Sequence, residues 1–202
     1  MTETQRLQED LQFVRHAVVK RDSPAPTPGA ILILWGVYVL VGYTLLDFNR
    51  TYASMFLAIA GITGGVASLF IGRWYAQREG QVNEDEGVRH ALHWGSILIA
   101  IAAIMALAYT RRDQISGNGE IVGQLIAMVI GIIYFLAGVH FDRYFLGLGL
   151  LLVVGSIAIS FMPRYGWTSL GVLISAGLML PVLLRNLKEK TVSPTNTEET
   201  AR

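Results

Sequence analysis

The chain has 202 residues, of which 52% are hydrophobic and 15% charged, where an ordinary soluble domain carries about a quarter charged residues. The net charge of +1 says little by itself, but the charges lie almost wholly in short segments between long apolar runs, the pattern of an integral membrane protein. Cysteine is absent, which excludes disulfides, thiolate metal ligands and cysteine nucleophiles.

The N-terminus, MTETQRLQEDLQ, is polar and acidic. It lacks the basic stretch and apolar core of a cleavable signal peptide. Leu7, Leu11, Val14 and Val18 recur at helical spacing, with Phe13 and Ala17 widening the stripe. Residues 1–28 are thus expected to form an amphipathic helix, capped by Thr2 or Thr4, and a proline-rich linker, SPAPTP, that ends it. The helix either lies along lipid headgroups or its own bundle, or docks on a partner or a second copy of the chain.

A bilayer core of roughly 30 Å needs about 20 apolar helical residues. Six runs meet this: Gly29–Leu46, Tyr52–Gly72, Ala91–Tyr109, Ile121–Val139, Tyr144–Met162 and Thr168–Leu184, none containing Asp, Glu, Lys or Arg. They are continuously apolar and do not alternate, so helices are preferred over a barrel. The expected fold is all-α, a six-helix transmembrane bundle over 29–184, followed by a polar, disordered tail over 185–202. The acidic loop Gln77–Gly87 reads as a solvated connector.

With the N-terminus inside, twelve Lys and Arg fall on the cytoplasmic side and four (Arg50, Arg111, Arg112 and Arg164) on the other. That bias predicts a bacterial inner-membrane protein with both termini cytoplasmic. Trp74, Tyr75, Trp94, Tyr109, Tyr144, Tyr165 and Trp167 stand near span ends, as an interfacial aromatic belt would.

Small residues form two seams, Gly61, Gly65, Ser68 and Gly72 in the second span and Gly123, Ala127 and Gly131 in the fourth. Such seams let helix backbones approach in lipid, within one chain or between subunits. Pro181 is expected to bend the end of the sixth span. Gly36–Ile62 and Gly131–Ile157 share a layout of glycine-edged span, short turn with Asp and Arg, and second span. Three crossings apart, they would be oppositely oriented, as in the inverted repeats of transporters.

Candidate chemistry is sparse. His90 and His93 share a helical face, and His140 joins them at the same side of the membrane. A metal or haem needs ligands that converge, and histidines at span edges read as headgroup-level side chains with ordinary hydrogen bonds. In the turn VHFDRYF (Val139–Phe145), Asp142 is placed to cap the following helix and Arg143 to snorkel. The spans offer only hydroxyls, Gln124 and some tyrosines, where ion-coupled transporters place ionisable groups at midplane. No phosphate loop, nucleophile elbow or HExxH motif occurs, so neither an enzyme nor a bound cofactor or metal is expected.

Leu11–Asp22 (LQFVRHAVVKRD) and Ile132–Gly155 (IIYFLAGVHFDRYFLGLGLLLVVG) resemble a loose group of uncharacterised bacterial six-span inner-membrane proteins. Members join a short cytoplasmic amphipathic helix to a glycine-rich first span and carry a paired-span Leu-Gly pattern later. The Arg-Ser pair that precedes their first span is missing here. The resemblance implies fold and topology and no activity. Together these features predict a non-enzymatic scaffold, accessory or regulatory subunit, with lipid and another membrane protein or its own copy as partners, and no nucleic acid. The alternative is a small transporter or channel for an uncharged or lipophilic solute.

Overall fold

The computed structural model describes residues 27–78, 84–111, 119–162 and 164–192. Numbered in chain order, the helices are α1 (Gly29–Phe48), α2 (Arg50–Arg78), α3 (Glu84–Thr110), α4 (Gly119–His140), α5 (Tyr144–Ala158, continued by a 3-10 turn at Ile159–Phe161) and α6 (Gly166–Val192). Each is long and apolar enough to cross a membrane, and the described residues contain no strand. The protein is therefore an all-helical, multi-pass bundle. The helix expected on Leu7, Leu11, Val14 and Val18 lies outside the described residues.

Three helices outrun their apolar spans. α2 continues to Arg78 and α3 begins at Glu84, so most of the expected loop Gln77–Gly87 is helical. α6 passes Pro181 and Arg185 and reaches Val192, into the segment expected to be disordered. Hydropathy marks only the part of a helix that suits hydrocarbon. Once a helix exists, Glu, Lys, Gln and Arg extend it at little cost, because each added residue closes another backbone hydrogen bond.

The well-packed pairs run in the order α2–α1–α6–α5–α4–α3. This is a ring in chain order whose weakly joined pair is α2 and α3. Tyr43 from α1, Tyr134 and Ala137 from α4, Phe145, Leu148 and Leu152 from α5, and Leu170, Ile174 and Leu178 from α6 form one buried cluster. α4 and α5 meet backbone to backbone. A methyl group on Gly131 would lie 2.9 Å from Leu152 Cβ, and one on Gly138 or Gly149 would collide with the amide nitrogen of Leu146 or Phe135. Close backbone approach of this kind gives lipid-embedded helices the dispersion contacts that replace the hydrophobic drive.

The aromatic-belt expectation needs correction. Trp167 is only 5% exposed and belongs to the core, its ring edge-on to Tyr43 at 5.4 Å. Trp94 packs against the same core, meeting Tyr134 and Phe145. A large aromatic at a span end gains more contact by turning into a wide gap between helices than by resting among headgroups. Tyr109 and Tyr165 do stay exposed.

Candidate functional site

Two ends of the bundle carry the polar groups. At the end where α1 finishes, the Phe48 end, helix termini frame a cleft of about 610 Å³. Its wall includes Asp47, Phe48, Arg50, Glu120, Ser160, Arg164, Tyr165 and Trp167, drawn from α1, α2, α4, the 3-10 turn and the start of α6.

Asp47 ties this end together. Its Oδ2 accepts hydrogen bonds from the Thr168 amide and the Thr168 hydroxyl, both at 2.7 Å. The first amides of a helix have no partner within it, and Thr168 lies in the first turn of α6. Tyr165, just before α6, has a φ of 57° and a side chain without a carboxylate to offer. The cap therefore comes from another helix, with a negative charge at the positive end of the α6 dipole. Beside it, Arg50 pairs with Glu120 at 3.2 Å in an exposed setting. Gln124 Nε2 donates to Ser160 Oγ at 3.0 Å, joining α4 to the 3-10 turn. Among the described residues Arg164 has no ion-pair partner.

At the opposite end, Phe141 gathers the three histidines. His90 stacks on its ring at 4.0 Å, His93 meets it edge-on at 5.0 Å, and His140 lies tilted at 6.4 Å. Their ring nitrogens do not converge. His93 Nε2 donates to the Ile133 carbonyl at 3.1 Å, and His140 Nδ1 donates to the Leu136 carbonyl at 2.7 Å. No group of three metal-ligating side chains occurs among the described residues. In the adjoining turn, Asp142 Oδ1 accepts from the Tyr144 amide at 3.0 Å, a local cap for α5.

The two small-residue seams are used unequally. In α4, a Cβ on Gly123 would stand 3.3 Å from the Trp167 ring, Ala127 is buried, and Gly131 faces α5. In α2, Gly61 faces the Tyr38 hydroxyl and Ser68 accepts from Trp35 Nε1 at 3.0 Å. Gly65 and Gly72 have nothing within 4 Å of where a Cβ would stand. Most span hydroxyls bond their own helix, Thr63 to Ile59, Ser96 to His93 and Ser156 to Val153.

Sequence reasoning passed over Asp47, Glu120, Ser160 and Thr168 as site residues. A faint signal existed, since Asp47 directly follows an apolar run. Nothing in the chain says that its partner stands 121 residues away. No protein-family model, curated protein or solved structure matches this chain. The functional reading therefore rests on the geometry alone.

Proposed function

We propose that this chain is a non-enzymatic membrane subunit, a scaffold or accessory component that works by contact with another membrane protein or a second copy of itself. The observation that carries the reading is the unfilled half of the α2 seam. Gly65 and Gly72 are open along a helix whose neighbouring Ile62, Val66 and Leu69 are exposed, while the α4 seam is filled from within. Small residues on a lipid-exposed face allow a foreign helix to approach closely. The excess of Lys and Arg on one side supports the bacterial inner membrane with both termini cytoplasmic. Because the chain has no cysteine, single-cysteine labelling in intact cells tests that orientation directly.

A photocrosslinker at position 65 or 72 in native membranes is expected to capture a protein partner, and the paired change G65L/G72L to abolish its copurification without lowering thermal stability. Adducts to lipid alone would defeat the reading. Deleting residues 1–22 tests whether the stripe Leu7, Leu11, Val14 and Val18 shares the contact.

The alternative, a small transporter for an uncharged or lipophilic solute, draws support from the weak joint between α2 and α3. A solute path would have to open between Tyr134, Leu152 and Ile174, which are packed together. Flux in liposomes would favour it over the scaffold.

A further inference from the structure

We infer that the cleft at the Phe48 end binds the headgroup of a zwitterionic phospholipid of the ethanolamine type, with phosphate at Arg164 and ammonium at Asp47. None of the cleft-lining residues is Gly65 or Gly72, so this inference stands or falls separately from the open α2 seam. Four observations support it.

Depth comes first. The cleft is lined at the ends of spans, by Phe48, Arg50, Glu120, Met162 and Gly166, which is where a bilayer places its headgroups. Size is next, since about 610 Å³ falls within the range of small-ligand sites.

Charge narrows the ligand. Arg50 and Glu120 neutralise each other, which among the described lining residues leaves one cation, Arg164, and one anion, Asp47. Arg164 has no ion-pair partner among the described residues, and a guanidinium suits a phosphodiester. Both hydrogen bonds to Asp47 fall on Oδ2, so Oδ1 is left without a protein donor among the described residues. The exposed rings of Phe48 and Tyr165, 5.7 Å apart, flank the same cleft and favour a cation beside the carboxylate. A purely anionic headgroup would satisfy Arg164 and repel Asp47. A zwitterion satisfies both.

The fourth observation is conformational. Tyr165 is the one non-glycine residue with positive φ among those described, at 57°. Such backbone is costly for a residue bearing a Cβ, and it concentrates at binding sites. Here it sets Arg164 and the Tyr165 ring on the cleft wall while α6 begins at the next residue.

The test is lipid retention. The protein is placed in nanodiscs of equal phosphatidylethanolamine and phosphatidylglycerol, released in the gas phase, and the retained lipid identified by mass. Wild type is expected to retain phosphatidylethanolamine preferentially. R164Q should weaken that retention about tenfold, the loss of a charge-assisted contact, and R164K should restore part of it. R143Q, at the other end of the bundle, should retain lipid as wild type does. Equal retention of the two lipids by wild type overturns the assignment, as does wild-type-like retention by R164Q. Inorganic phosphate tests the other source of the same chemistry on the unaltered protein, so the test survives even if R164Q does not fold. Displacement of the lipid by millimolar phosphate would make this a free-anion site and overturn the inference.

Discussion

Between α4 and α5 the two backbones touch, whereas between α1 and α2 side chains stand in the gap. In the first hairpin Gly131, Gly138 and Gly149 bring main chain against main chain. In the second, Trp35 reaches Ser68, the Tyr38 hydroxyl donates to the Leu57 carbonyl at 3.0 Å, and the Tyr38 ring stacks on Phe56. Gly42 of α1 takes the Leu57 side chain of α2, but the other two glycines of α1 serve a different neighbour. Gly29 and Gly36 face Val182 and Met179 of α6, and Gly171 of α6 answers by admitting Tyr43. Each turn holds an aspartate in the matching place. Asp142 caps its own next helix, and Asp47 crosses to α6. A shared sequence layout thus supports two kinds of joint, one of dispersion and one of polar ties.

The sharpest way to break that contrast is to add a methyl group. Gly149→Ala forces the α4 and α5 backbones apart, with an expected loss of about 3 kcal/mol or failure to assemble, as overpacking does in a tight core. Gly64→Ala in α2 places its Cβ 3.8 Å from the Trp35 ring, an ordinary contact, and should leave stability unchanged. Denaturation in mixed detergent micelles measures both, and equal effects would dissolve the distinction.

The caps come next in size. Asp47→Ala removes a charge-assisted pair of bonds and leaves the Thr168 amide orphaned, for a loss of about 2 kcal/mol. Asp142→Ala loses an exposed local cap, about 0.5–1 kcal/mol. Comparable losses would mean that Asp47 does not tie α1 to α6. Trp35→Phe keeps the ring but removes its N–H. Because Ser68 can still donate to the Gly64 carbonyl at 2.8 Å, about 1 kcal/mol is expected, read in the same assay. The smallest effect belongs to Arg50→Gln. Its pair with Glu120 is exposed on both sides, so stability should change by under about 0.5 kcal/mol. Salt should erase even that.

Six spans were readable in the chain because a bilayer imposes a length of apolar sequence, and α1 to α6 follow it. Helix ends were less readable, as Glu84 and Val192 show, since hydropathy is silent about polar residues that continue a helix. The seam on Gly123, Ala127 and Gly131 occupies a packed face. Gly138 and Gly149, which make the closest approach of all, escaped notice because a glycine's neighbour on another helix leaves no mark in its own sequence. Trp167 illustrates the same gap, since a tryptophan near a span end is equally suited to headgroups and to a crevice.

By itself the amino-acid sequence determined the helical, membrane-spanning character of this protein, the places where it turns and the absence of charge within its spans. Those properties depend only on how each segment partitions between oil and water. Tertiary structure decided which helices adjoin, that Asp47 would cap a helix far along the chain, that three histidines would surround Phe141 without converging, and that Arg164 would be left beside a cleft. Such outcomes depend on distances between segments, and lipid, being as apolar as the helices it surrounds, does not choose among their possible neighbours.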